Sequence, residues 1–553
     1  MRYSAILTCF AFKLAAVASA QHTFVARNTG DGLNLLKLNG PASLPAEWTT
    51  PPLNPALGSF SIETAFFEEY LGNVTYPNTL SINLFNNLKE RAGVAPEIRI
   101  GGITADSTFW NPDQDVALYS YVDDTGALIN TTLGPQFWNS VKLLPEGTKI
   151  IMTLDLENFN YTGTLSLAEA AWAGLGPRVI SRFEIGNEPD QYSLHLDAQD
   201  YTAIWEPWSV NISKALNAPN PEFQVGATVI DPLWPYNTSQ AEAQFDCVSA
   251  LAAGADDGHT VKTCSEHTYQ YSVCDPTRAA VATLTNLVNH TRLAEYLDLW
   301  QPRIQAVRSQ LGPDGFVIGE FNSVSCSGRD NVSNTFGQAM WLLDTTLYAA
   351  SINISRVYVH QGGPLALQSS TQLNHGGLSL YNLWYPVENQ NGPIQVLPSY
   401  FAYLFVSELI GGSKSLRTSN IFPGRQANGS SITTAGGDPS AGQISVYGYW
   451  EEPFPEYPAK LAILNLEVYN ATAMYPRPNV TVDFSTFLSK PGRMITVKRL
   501  TAPGADIKYG NLTSWAGQNF ASGVAEGEVV EEKITTGQVD IAASSAVLIT
   551  CHG

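Results

Sequence analysis

Arg182-Phe-Glu-Ile-Gly-Asn187-Glu188-Pro189-Asp190 sets a short apolar run against a glycine and then a cluster of polar side chains. A run of this kind reads as a strand buried on both faces. Pro189 disfavours the helical conformation at the residue before it, so Glu188 is expected on an extended backbone, with Gly186 leaving room beside it. Asn187 adds one donor and one acceptor next to the carboxylate. Taken alone, Asn-Glu-Pro reads as readily as a charge capping the helix that follows.

The same texture recurs on either side. Short apolar runs at Phe60–Thr64, Glu97–Ile100, Lys149–Leu154, Arg182–Gly186, Phe223–Thr228, Ser265–Tyr269, Phe316–Gly319 and Arg356–His360 make eight strands. Helical stretches are expected at Thr79–Ala92, Ala198–Leu216, Arg292–Leu311 and Tyr400–Ile410. Eight strand–helix units predict an α/β fold of the TIM-barrel kind, a (β/α)8 barrel, although a doubly wound open sheet would space its elements similarly. Polar residues gather just after the runs: Glu63, Arg99, Asp106, Asn187, Glu188, His267, Tyr269, Glu320 and His360. Barrel enzymes build their sites at the C-terminal ends of the strands, which favours the barrel.

Phe316-Val-Ile-Gly-Glu320 repeats the strand–glycine–carboxylate pattern three strands after Glu188. A barrel brings two such residues to one mouth, and retaining glycoside hydrolysis uses two carboxyl groups about 5–5.5 Å apart.

Beyond Ser413 the apolar runs Gln443–Tyr449, Lys460–Val468, Asn479–Phe484, Ile495–Leu500 and Ala546–Cys551 are separated by Gly, Pro and Asn. They predict an antiparallel β-sandwich over residues 413–553, after a catalytic barrel over 51–412. Residues 21–50 form an N-terminal segment, in which His22–Arg27 is a candidate extra strand for the β domain.

Residues 1–20 read as a signal peptide: Arg2, an apolar stretch, then Ala18-Ser19-Ala20. Twelve Asn-x-Ser/Thr sequons, at Asn73, Asn130, Asn160, Asn211, Asn237, Asn289, Asn331, Asn353, Asn428, Asn470, Asn479 and Asn511, fit a secreted, extracellular protein. Loss of the leader removes Cys9 and leaves Cys247, Cys264, Cys274, Cys326 and Cys551, enough for two disulfides and one thiol with connectivity open. No cysteine or histidine spacing suggests a metal, and no cofactor is expected. The formal charge of −20 becomes −22 without Arg2 and Lys13, which argues against nucleic acid or membrane partners. A monomer is expected.

The residues now in view resemble glycoside hydrolase family 79, the β-glucuronidases and heparanase. Ser59-Phe-Ser-Ile-Glu63, Ile98-Arg99-Ile-Gly-Gly-Ile-Thr-Ala-Asp106, Glu-Ile-Gly-Asn-Glu-Pro at 184–189, Ile-Gly-Glu-Phe-Asn-Ser at 318–323, Tyr381-Asn-Leu-Trp384-Tyr-Pro386 and Arg499-Leu-Thr-Ala-Pro503 carry the resemblance in order along most of the chain. It implies Glu188 as general acid/base, Glu320 as nucleophile, Asn187 at the sugar 2-hydroxyl, and Glu63 and Asp106 on the far edge of the ring. Arg99 would orient Glu320 or pair with buried carboxylates.

In such enzymes a uronic carboxylate is met by backbone amides after the nucleophile and by a tyrosine. The matching loop is Ser325-Cys326-Ser327-Gly328-Arg329, with Tyr381 as the matching tyrosine and Tyr269 as a second candidate. Successive amides in a turn bind an anion without a cationic side chain. Cys326 and Ser327 replace heparanase's glycines, so the nest requires the loop shape to survive, which a disulfide at Cys326 would secure. His267 and His360 are either substrate contacts or hydrogen-bonded barrel histidines, and Trp384 is the candidate sugar-stacking ring among Trp110, Trp234 and Trp384. The expected substrate is a carbohydrate with a terminal glucuronic acid, 4-O-methylated or not. The alternatives are a neutral-sugar barrel hydrolase, an endo-acting enzyme, and a glycan-binding protein without catalysis.

Overall fold

The computed structural model describes residues 35–38, 42–44, 50–124, 128–218, 222–232, 244–363, 378–423, 443–489, 492 and 494–551. The leader, His22–Arg27, Trp234, Asn237 and Asn428 lie outside them.

Eight strands close into a parallel barrel in chain order: Gly58–Glu63, Ile98–Gly101, Ile150–Leu154, Ile180–Ile185, Phe223–Thr228, Val261–Thr268, Phe316–Phe321 and Val357–Gln361. Each overlaps one of the eight expected runs. Ile98, Ile100, Ile150, Met152, Phe183 and Ile185 belong to the large apolar core the strands share with the surrounding helices, while Ile151, Val317 and Tyr358 form a small separate cluster. Side chains alternate along a strand, so the neighbours of these apolar residues turn the other way.

The helices start and stop where their caps dictate. Asn78 accepts from the Ser81 amide to open Thr79–Ala92, and left-handed Gly93 closes it. Asp197 opens Ala198–Leu216. The expected single helix over Arg292–Leu311 is instead two, His290–Leu297 and Gln301–Leu311, joined by the 3-10 turn Asp298–Trp300. Pro302 explains the break: it is tolerated in a first turn and disruptive in an interior. Several further helices lie outside the expected stretches, the longest being Tyr161–Leu175 and Phe336–Ser351, and the second of these is buried all round, so it shows no amphipathic period.

The C-terminal region is a two-sheet sandwich. A seven-stranded antiparallel sheet runs Arg417–Phe422, Ile444–Trp450, Lys460–Asn465, Ser545–Cys551, Ile495–Thr501 and Ser514–Trp515, with Glu532–Ile534 also paired to Ile495–Thr501. A three-stranded sheet faces it, built from Leu35–Lys37, Asn479–Asp483 and Gln538–Ala542. Leu35–Lys37 pairs in parallel, so the antiparallel expectation fails at this edge. The larger sheet is covered on both faces. Val446, Leu461, Ile463, Val547 and Ile549 pack in the sandwich core, whereas Tyr447, Tyr449, Ala462, Leu464 and Leu548 join the barrel core. A polar clip crosses the same boundary: Asp344 accepts from Ser445 Oγ at 2.9 Å and Tyr447 Oη at 2.7 Å and faces His290 Nδ1 at 2.9 Å. No helix of the described residues is long and apolar enough to cross a membrane.

Candidate active site

Neighbouring barrel strands set the site by register. His267 on the sixth strand stands beside Glu320 on the seventh, His360 on the eighth beside Ser61 on the first, and Ser61 beside Arg99 on the second. Glu188 follows the fourth strand. Its backbone is left-handed, with φ 51° and ψ 52°, rather than extended as the proline suggested. The Glu188 amide donates to the Ala227 carbonyl at 2.9 Å, and Gly186 takes φ 89° two residues earlier, so the turn is fixed by its neighbours. A non-glycine residue held there stores strain, as active sites often do. Gly186 is required sterically too, since a Cβ there would lie 2.7 Å from the Tyr192 hydroxyl. Gly319 plays the same part before Glu320, where a Cβ would strike Ser265 Oγ.

The two carboxylates meet around His267. One oxygen each of Glu188 and Glu320 and one ring nitrogen of His267 all lie within 4.8 Å of one another. His267 Nδ1 is 3.0 Å from Glu188 Oε1 and 4.0 Å from Glu320 Oε2. The Glu188 side chain is 22% exposed and that of Glu320 8%, so Glu188 is the one nearer to solvent.

Glu320 is clasped. Tyr269 Oη donates to Oε1 at 2.8 Å, Arg99 Nη1 donates to Oε2 at 2.7 Å, and His360 Nδ1 stands 3.6 Å from Oε2. Burial alone would raise its pKa, but His360, His267, Arg99 and Tyr269 together hold the carboxyl down at about 2. His360 is itself pushed above the ordinary histidine value: burial opposes the shift, and the carboxylates of Glu320 and Glu63 overcome it. Three carboxylate and imidazole groups at this spacing are also a candidate divalent-cation site, but Arg99 already supplies the positive charge against Glu320.

Arg99 fills both roles left open by the sequence. Besides Glu320 it binds Glu184 Oε1 through Nε at 2.7 Å, Ser61 Oγ at 3.0 Å and Asn187 Oδ1 at 2.8 Å. The last contact fixes the Asn187 amide with its oxygen toward Arg99 and its NH2 group turned away. Glu184, which sequence reading passed over, also accepts from Thr153 and Gln224 and forms a polar floor beneath the carboxylate pair. Ser61, Thr104 and Gln224 were passed over as well.

Glu63 Oε1 accepts from the Thr104 amide at 2.8 Å and hydroxyl at 2.6 Å, and its Oε2 is 3.2 Å from His360 Nε2. Asp106 departs from expectation. Its oxygens accept from the Leu156 and Asn187 amides and from Tyr192 Oη, so it is a positioning residue for the Asn187 turn. Trp384 departs further. It is fully buried, ringed by Phe60, Tyr70, Phe85 and Tyr400, with Nε1 bonded to Ser81 Oγ, and presents no face to a sugar. Trp110 stacks on Trp138, and His290 serves the domain boundary.

The loop after Glu320 carries three successive left-handed residues, Cys326, Ser327 and Gly328. A Cys274–Cys326 disulfide ties it to the loop after the sixth strand, and the Leu380 amide donates to the Ser327 carbonyl at 2.9 Å. This brings the loop against Tyr381, whose ring lies 6.3 Å from those of Tyr269 and His360. The Gly328 amide is committed to the Val324 carbonyl, so it is not an anion donor, and Arg329 Nη1 donates to the Ala279 carbonyl instead of entering the site. A second disulfide joins Cys247 and Cys264, and Cys551 is a buried thiol.

Burial raises seven carboxyls among the described residues: Asp106, Glu266 and Glu69 to about 7, Asp155 and Asp190 to about 6, and Glu222 and Asp231 upward as well. Between pH 4 and 7 the folded chain therefore keeps protons the unfolded chain has released, and stability falls as pH rises. Glu97 and Glu320, both held at about 2, act oppositely and cost stability below pH 4. The melting temperature is expected to peak near pH 4–5 and to drop by roughly 5 °C or more by pH 8. Calorimetry across that range checks it; a flat or rising profile contradicts the burial argument.

Residues 446–548 match the glycosyl hydrolase family 79 C-terminal beta domain. The chain is 27% identical over 525 residues to a beta-glucuronidase of Aspergillus niger, covering 90% of this chain and 88% of the relative. It is 26% identical over 516 residues to one of Neurospora crassa, covering 85% and 86%. Among solved structures, a 4-O-alpha-L-rhamnosyl-beta-D-glucuronidase from Fusarium oxysporum superposes with a TM-score of 0.73 at 21% identity, covering 93% of this chain and all of that one. A family 51 arabinofuranosidase from Xanthomonas axonopodis shares the fold at a TM-score of 0.57 and 11% identity, covering 92% and 98%.

Proposed function

We propose that this chain, a member of glycoside hydrolase family 79, is a secreted retaining exo-β-glucuronidase that removes terminal glucuronic acid from glycans or glycosides. The observation that carries the reading is the pair of carboxylates with oxygens inside 4.8 Å, close to the separation that leaves no room for an intervening water. Glu188 protonates the glycosidic oxygen as Glu320 attacks the anomeric carbon, and the aglycone leaves with that proton. Glu188 then takes a proton from water, which attacks the same carbon and releases Glu320.

The surrounding groups have matching tasks. Arg99 and Tyr269 each donate to one oxygen of Glu320 and so fix its plane. Asn187, held by Arg99, turns its NH2 group to the 2-hydroxyl oxygen and so orients that hydroxyl beside the reacting carbon. Glu63, steadied by Thr104, takes hydroxyls at the far edge. The uronic carboxylate is met by Tyr381 and the disulfide-anchored loop at Cys326 and Ser327, which allows an acidic protein to accept an acidic sugar.

Aryl β-glucuronide is expected to be hydrolysed with a kcat/KM at least ~100-fold above aryl β-glucoside, a gap typical of a site whose polar groups match one substrate's carboxylate. Preference for the glucoside would install the neutral-sugar reading, and binding without cleavage the lectin-like one. Proton NMR of the first-formed sugar should show the β anomer; an initial α anomer would refute retention.

A further inference from the structure

A small sheet rises from the barrel rim directly after Asp106, with strands Thr108–Trp110, Leu118–Val122 and Leu128–Leu133. The last two are antiparallel, with Tyr119 opposite Thr132 and Tyr121 opposite Asn130. Directly opposed residues stand on one face with Cβ atoms about 4.5–5.5 Å apart. Asn130-Thr131-Thr132 is a glycosylation sequon, so the acceptor asparagine and its threonine both face a tyrosine. Those tyrosines are 52% and 43% exposed, and their rings meet edge to face at 4.6 Å, leaving aromatic surface uncovered by protein. Asn130 is half-buried, with its Oδ1 covered and unpaired. Among the described residues one other sequon lies on a paired strand, Asn479-Val-Thr481, and it faces Ala542 and Asp540.

We propose that Asn130 carries an N-linked glycan whose first sugar lies on Tyr119 and Tyr121. The Asn130 Nδ2 bonds to the anomeric carbon of a lipid-pyrophosphate-linked oligosaccharide as the carbon–oxygen bond to pyrophosphate breaks; the nitrogen gives up a proton and the lipid pyrophosphate departs. The C–H face of the attached sugar then spans the cross-strand gap and covers the rings, the amphipathic contact that exposed tyrosines offer. Of the functional reading above, this requires only the extracellular address.

The full chain, secreted from a eukaryotic host, is mapped by peptide mass spectrometry and melted with and without trimming to the first sugar. Asn130 should be occupied, trimming should leave the melting temperature unchanged, and Asn130→Gln should lower it by about 1–3 °C. In a Tyr119→Ser/Tyr121→Ser background the Asn130→Gln shift should vanish. A bare Asn130 beside occupied sequons elsewhere overturns the proposal, as does an equal shift in both backgrounds. A bare Asn130 with a raised KM for oligosaccharide in the tyrosine variant gives the face to substrate instead. A chain bare at every sequon removes the extracellular address along with the proposal, while hydrolysis of aryl glucuronide tests the catalytic reading separately.

Discussion

Glu320→Gln is expected to lower kcat by ~10⁴–10⁶-fold while leaving the fold intact, as removal of a covalent nucleophile does elsewhere. The amide keeps the shape of the carboxylate but cannot form the glycosyl ester; its carbonyl oxygen can still accept from Arg99 while its NH2 group takes the place of Oε1 beside the Tyr269 hydroxyl. Arg99 retains Glu184 at 2.6 Å, so its charge stays paired in the variant and collapse of the site is not expected. That distinguishes chemical from structural loss: initial rates on an aryl glucuronide should vanish into background while the variant keeps a cooperative thermal transition, lowered only by the loss of the Glu320 charge. Residual turnover above about 1% in the purified variant would remove Glu320 from the nucleophile's role, since the effects that survive loss of a nucleophile are far smaller.

The barrel was legible because each strand is a short apolar run closed by a glycine or a polar residue, and the two glutamates because both follow such glycines. The floor beneath them was overlooked although its signal was present. Glu97, immediately before the second strand, and Arg99 on it are two apart, as are Arg182 and Glu184 on the fourth, and residues two apart along an extended backbone share a face. In the folded chain they pair in two layers, Glu97 with Arg182 and Arg99 with Glu184. Charges inside otherwise apolar strands are costly to bury, and that cost marks them as supports for the site above. Trp384 and Asp106 misled for the opposite reason. Both occupy positions after barrel strands, but a side chain's direction there depends on loop packing that no local pattern encodes. The left-handed backbone of Glu188 has the same origin: its amide is anchored to Ala227 on the next strand, a contact 39 residues away in sequence.

Glu188→Ala should separate the two halves of the reaction. Losing a general acid or base costs about 10²–10⁴-fold where proton transfer limits the step. For a poor leaving group, such as an alcohol or a second sugar, glycosylation should slow by that factor. A dinitrophenyl glucuronide departs without protonation, so its first step should stay near the wild-type rate and a glycosyl-enzyme should accumulate as a burst. Water then lacks its base, and azide, which needs none, should restore turnover and yield the β-glycosyl azide. The place left by the carboxylate beside His267 Nδ1, at the more exposed of the two acids, gives the small anion a route to the anomeric carbon. A correctly folded variant that ignores azide on the activated substrate would take the acid/base role from Glu188, and an α-glycosyl azide would mean that no covalent intermediate on Glu320 had preceded it.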